Sequence, residues 1–100
     1  MVLLHITPLT DWQNAQKTGL YQADSLNTEG FIHCSTQEQI DGVAERFYRG
    51  RSGLVVLVID QQRVEAEIRF ENLEGGSQLF PHIYGPLNLD AVIEVRPFEG

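Results

Sequence analysis

Apolar and polar residues alternate along this chain with several distinct periods, and each period predicts an element. Val2 to Ile6 is a short apolar run bounded by Thr7-Pro8, which predicts a first strand. Thr10 with Gln13 three places on has the form of a capping box, and Gly19 is a stop signal. A helix over residues 11–18 follows, with Trp12 and Ala15 facing inward. Asn27, Thr28 and Gly30 favour turns, so 20–30 reads as a loop. Phe31 to Cys34 predicts a second strand. Ser35 and Glu38 form a second capping box, and Ile40, Val43, Ala44 and Phe47 recur at helical spacing. That predicts a helix over 36–48, closed by Gly50.

Leu54 to Ile59 is unbroken apolar sequence, as in a central strand buried on both faces, with Asp60 closing it. Val64, Ala66, Ile68 and Phe70 then alternate with Glu65, Glu67, Arg69 and Glu71, the pattern of a strand wet on one side. Gly75-Gly76 marks a turn. Pro81, Gly85 and Pro86 predict a tight loop with Tyr84 packed on the core. Ala91 to Val95 predicts a last strand, with Asp90, Val92 and Glu94 on one face and Ala91, Ile93 and Val95 on the other. Five or six strands with two short helices indicate an α+β fold, since a doubly wound parallel sheet would need more helices.

Composition narrows the choice of partner. One hundred residues make one domain. Fourteen acidic residues against seven basic ones give a net charge of −7, which repels polyanions, so no nucleic-acid binding is expected. Arg46, Arg49 and Arg51, with Glu45 beside them, read as a solvated helix end. Cys34 is the only cysteine, so no intrachain disulfide can form, which fits a reducing, cytoplasmic setting. The run Val2-Leu3-Leu4 is too short for a signal peptide and lacks a basic flank. No stretch approaches the roughly 20 apolar residues of a membrane span.

Candidate chemistry centres on three histidines, each at a strand end or in a loop, where a rigid scaffold commonly carries its site. They are His5, before Ile6-Thr7-Pro8; His33, in Gly30-Phe31-Ile32-His33-Cys34-Ser35; and His82, in Phe80-Pro81-His82-Ile83-Tyr84-Gly85-Pro86. Each could equally be a hydrogen-bonded structural residue. Metal binding is disfavoured, because His33 and Cys34 are adjacent on a strand and point to opposite faces. Cys34 could be a thiolate nucleophile at a helix start, or a small core residue. A third reading is nucleotide or sugar chemistry. A histidine would bond a ribose hydroxyl, Tyr84, Phe31 or Tyr21 would stack on a base, and Asp90 or Glu94 would face the charge that develops on the ribosyl carbon.

Taken together, His5-Ile6-Thr7, Trp12, Gly30 to Ser35, Asp60 and Phe80 through Asp90-Ala91-Val92 resemble the bacterial domain of unknown function family 952, over nearly the whole chain. That family resembles, more distantly, the ADP-ribosyltransferase-like fold, whose members bind NAD in the cleft of a split β-sheet. The resemblance implies His5 on the nicotinamide ribose, His33 near the nicotinamide, and Asp90 as the acid that steadies a ribosyl cation, with Asn88 and Glu94 competing for that last role. By the same resemblance His5, Thr7, His33, Ser35, His82 and Tyr84 would contact NAD, and no metal is implied. A histidine stands where a stacking tyrosine is more familiar, and an aspartate where glutamate is usual. The activity implied is binding of NAD or a related ribonucleotide, with transfer or hydrolysis of ADP-ribose. The rival classes are a non-catalytic small-ligand or protein-binding module, and a metal- or thiol-dependent hydrolase. The sequence sets no oligomeric state.

Overall fold

The unbroken apolar run does become the centre of a sheet. In a computed structural model, which describes residues 1–72, 76 and 78–98, β4 (Leu54–Asp60) lies between β1 (Val2–Pro8) and β8 (Val92–Phe98), antiparallel to both. His5 stands opposite Leu57. Between Val58 and Ile59 the register with β8 slips by one, a bulge at Ile93. A second three-stranded antiparallel sheet has the order β3 (Ile32–His33), β6 (Phe80–Tyr84), β5 (Glu67–Glu71). A third is the two-residue pair of β2 (Leu20–Tyr21) and β7 (Leu87–Asn88). The first two sheets meet at a backbone seam. Leu4 N–H donates to the Ser35 carbonyl at 2.8 Å, and Ser35 N–H returns a bond to the Leu4 carbonyl at 2.7 Å.

Both faces of the central sheet are covered. On one side Leu3, Val55, Leu57 and Ile59 pack with Trp12, Ala15, Tyr21, Ile32, Ile83 and Leu87, all buried. On the other, Leu4, Ile6, Val56 and Val58 lie against α3 (Ile40–Phe47) through Ile40, with Val43 and Ala44 half-buried. α1 (Leu9–Thr18) delivers Trp12 and Ala15 to the first layer, as their spacing predicts, and Gly19 ends it in the left-handed conformation with φ 93°.

The differences from expectation are local. The fold is α+β, with eight strands and three α-helices among the described residues instead of five or six strands and two helices. α1 starts two residues early, at Leu9 after Pro8, with no side-chain cap from Thr10. Pro8 fixes the φ at the entry, and Leu9 N–H in the first turn donates to the Gly53 carbonyl at 2.9 Å instead of to a side-chain cap. α3 starts late, at Ile40, and the turn before it is held by Gln39 Oε1 accepting from Thr36 N–H at 3.0 Å rather than by Ser35 and Glu38. Phe47, expected on the buried stripe, is 53% exposed under the Arg46 guanidinium. The stretch 20–30 holds β2 and α2 (Asp24–Thr28). Residues 64–66 lie outside β5, after a 3₁₀ turn at Gln61–Arg63. The expected loop at Pro81–Pro86 is mostly strand: β6 is central in its sheet, and Pro81 is accommodated because its backbone faces the β3 side just past the end of β3, where its carbonyl accepts from Cys34 N–H and its missing N–H breaks no bond to β5. The last strand begins at Val92 and runs through Pro97. Gly75 lies outside the described residues. Among the described residues no helix is long and apolar enough to cross a membrane.

Candidate functional site

Five of the proposed site residues, His5, Thr7, His33, His82 and Tyr84, fall into two groups that share His33. The first is buried. His5 Nδ1–H donates to the backbone carbonyl of His33 at 2.5 Å, and His5 Nε2 is 2.7 Å from the Tyr21 hydroxyl, which is 2.8 Å from Thr7 Oγ1. His5 is 8% exposed, Tyr21 2% and Thr7 1%. Burial is the main cause that lowers the His5 pKa to about 4, so the ring is neutral at pH 7. With Nδ1–H given to a carbonyl, Nε2 must be the acceptor. The Tyr21 proton is then committed to His5, and Thr7 donates to the phenolic oxygen. Burial likewise raises the Tyr21 pKa, so it stays a phenol. The chain ties β1 to β2 through a side chain and to β3 through the backbone, and so joins all three sheets.

The second group lies on the outer face of β3–β6–β5. Strand pairing sets His33 opposite His82, and His82 opposite Arg69. Phe31, one step before β3, is stacked on His82 with ring centroids 4.1 Å apart. It lies 4.8 Å from the His33 ring and 5.2 Å from that of Tyr84. The two imidazoles are edge-to-face at 5.4 Å. Carboxylates border the rings. Glu29 Oε2 is 2.8 Å from His33 Nε2. Glu71 Oε1 is 3.0 Å from His82 Nδ1 and accepts the Tyr84 hydroxyl at 2.5 Å. These bonds, Tyr84 first and His82 second, hold the Glu71 carboxyl below its ordinary range, and the same contact raises Tyr84. Arg69 lies over the Tyr84 ring at 4.6 Å and bonds Glu67 in fork geometry. His33, Glu29 and Arg69 are about half exposed at their side chains, so this face is open to solvent at its rim.

His5 and His33 therefore meet through the backbone carbonyl of His33, while the His33 ring turns to the other face. Thr7 belongs with His5; His82 and Tyr84 belong with His33. Ser35 serves the seam through its backbone. Asp90 does not open a strand: it sits in a 3₁₀ turn, Leu89–Ala91, exposed, with Oδ1 accepting from Asn88 Nδ2 at 2.6 Å. Asn88 is itself buried, donating to the Arg63 carbonyl and accepting from Glu65 N–H, a loop clamp. Glu94 is on β8, bonded to Arg96. Two depressions, of about 670 and 440 Å³, lie elsewhere: one includes Leu9, Val95 and Pro97, the other Asp11, Thr18 and Asp24. Glu29 and Glu71 escaped the sequence reading. Their signals were present, since Glu29 lies four residues before His33, and Glu71 closes the wet alternation of Glu67 and Arg69.

Cys34 is buried, and desolvation pushes its thiol up, the reverse of what a nucleophilic thiolate needs. Among the described residues no three His, Cys, Asp or Glu side chains are grouped to hold a metal ion.

A partitioned antiparallel sheet with α1 packed on one side and α3 on the other, and a histidine-centred seam, define a small α+β fold with an aromatic cluster on its second sheet. Residues 6–95 match the model of the family described as protein of unknown function (DUF952), and the chain belongs to that family. It is similar to CC0527 from Caulobacter crescentus: the crystal structure is 27% identical with a TM-score of 0.88, covering 99% of this chain and 87% of that one. The solution NMR structure of CC0527 gives 27% identity and a TM-score of 0.84, covering 98% and 84%. No curated protein matches the chain.

Proposed function

We propose that this domain is a small-ligand-binding module whose site is the outer face of β3–β6–β5, and that its ligand is a ribose-bearing heterocycle, with NAD or a related ribonucleotide as the class its resemblance implies. The observation that carries the reading is the ring cluster Phe31, His33, His82 and Tyr84, with Glu29 and Glu71 at its border. Carboxylates accept from ribose hydroxyls, and the half-exposed His33 ring, beside the partly exposed Tyr84 and backed by the buried Phe31 and His82, gives a planar base a stacking surface. His5 is left out of this site, because both its ring nitrogens are occupied inside the protein. Charge sorts the ligand further. Glu29, Glu67 and Glu71 outnumber Arg69 on this face, on a chain of net charge −7, so a cationic pyridinium riboside fits better than a diphosphate. The part of NAD that docks is then its nicotinamide-ribose end, and the carboxylate beside it is Glu71, not Asp90.

The test is calorimetric titration with NAD, nicotinamide riboside and ADP-ribose. NAD and nicotinamide riboside bind, ADP-ribose binds more weakly, and Glu71→Gln with His33→Ala weakens both binders. No heat from any of the three removes the proposal. Binding unchanged in that double variant removes the site. Release of nicotinamide from bound NAD, lost in Glu71→Gln, would add catalysis to binding.

A further inference from the structure

β8 is the last strand of its sheet, so one of its edges is unpaired by any described strand. Which backbone groups face that edge follows from Pro97, which stands opposite Val55. Proline has no N–H to give β4, so this pair is one whose backbone groups turn away from each other. Pro97 therefore faces outward, and so does Val95 two residues earlier in the same uninterrupted register. Val95 presents both an N–H and a carbonyl to the open edge. The side chains nearby are unusually apolar for an edge: Ile93 is 50% exposed, Val95 36% and Leu9 40%. They adjoin the shallow groove of about 670 Å³ lined by Leu9, Val55, Val95, Pro97 and Phe98. Glu94 and Arg96 flank Val95 on the opposite face, about half exposed, their own bond 3.0 Å long.

An antiparallel second copy must set an outward-facing residue against an outward-facing residue, which leaves few registers. With Val95 opposite Val95, the two exchange N–H···O=C bonds. Glu94 then lies opposite Arg96 of the second copy, and Arg96 opposite Glu94. Sliding by one outward position either way sets Glu94 on Glu94 or Arg96 on Arg96. The charge pattern thus selects a single self-complementary arrangement. We propose that β8 is a dimerisation edge, at which two copies of this chain pair antiparallel about Val95 and join their sheets into one. The interface is isologous, and it brings Ile93 beside Pro97 of the second copy, next to both grooves. Pro97 contributes only a carbonyl, and Ile93 sits in the bulge, so the hydrogen-bonded stretch is short. The dimer forms at high protein concentration and dissociates on dilution.

Sedimentation velocity across a concentration series is the test, with circular dichroism to confirm the fold. Wild type moves from monomer to dimer. Glu94→Arg and Arg96→Glu each remain monomeric, because each sets like charges opposite one another. An equimolar mixture of the two regains the dimer, and so does the double variant carrying both changes. A wild type that stays monomeric throughout overturns the proposal. So does a dimer that persists unchanged in both single variants.

Discussion

Replacing His5 with alanine separates a structural seam from a ligand contact. The substitution removes two hydrogen bonds among buried groups and leaves the His33 carbonyl without its partner. Tyr21 keeps Thr7. An unsatisfied buried polar group costs about 1–3 kcal/mol, and an ordinary hydrogen bond about 1 kcal/mol. With the space vacated by the ring, His5→Ala should lose about 3–5 kcal/mol, a large share of the roughly 5–15 kcal/mol typical of a domain. The pH dependence gives a second reading. The folded pKa of about 4 lies below the ordinary 6.5, so between those values the unfolded chain binds the proton that the folded chain refuses. The contribution is whole above pH 6.5, is lost as pH falls towards about 4, and is flat below. A shift of that size corresponds to about 3 kcal/mol across the window. Urea unfolding of wild type, His5→Ala and His5→Gln at intervals across this range measures both effects. Wild type should weaken steadily on acidification, and the variant should show a shallower slope. A loss below about 1 kcal/mol for His5→Ala, or identical slopes, would refute the seam. A large fall in ligand binding at unchanged stability would return His5 to the ligand.

Other substitutions probe the scaffold. Gly85→Ala should destabilise by about 1–3 kcal/mol, because φ is +152° there and the added methyl would stand 3.0 Å from Ala66 Cβ; chemical unfolding measures it. Leu57→Ala, fully buried opposite His5, should cost about 2–5 kcal/mol with m unchanged in the same assay. Cys34 should react with a thiol reagent only at the rate of opening, and rapidly in denaturant, as timed by absorbance.

What the sequence made legible was whatever local pattern alone decides. The run Leu54 to Ile59 could only be a strand covered on both faces, and Trp12 with Ala15 could only face one way from a helix. The misses share a cause, which is that a partner distant in sequence changed the local answer. Pro81 reads as a loop former because proline is rare in central strands. Here β5 pairs along one side of β6, and Cys34 N–H still finds the Pro81 carbonyl. Asp90 reads as a strand-opening acid until Asn88, itself clamped by the distant Arg63 carbonyl and Glu65 N–H, takes its carboxylate. Each histidine stands out in the sequence, but which way each ring faces depends on pairing across the sheet, not on the residues beside it.

His33 is where the two groups touch, and the coupling between them follows from its covalent structure. Its carbonyl accepts the His5 proton on the core side, while its ring meets Phe31, His82 and Glu29 on the outer side. A protonated His5 would keep Nδ1–H on that carbonyl and gain a proton at Nε2, forcing Tyr21 to give up donating to it and donate to Thr7 instead. Burial resists that change until acid pH. The position of the His33 backbone is thus fixed from beneath by a neutral ring. An outer-face ligand should keep its affinity down to about pH 4, where the folded ring first takes the proton, and lose it below, and in His5→Gln that acid loss should shrink although His5 touches no ligand. Titration calorimetry at two pH values on both proteins measures this. If the wild type and His5→Gln lose affinity equally, the titration belongs to groups on the outer face and His33 transmits nothing.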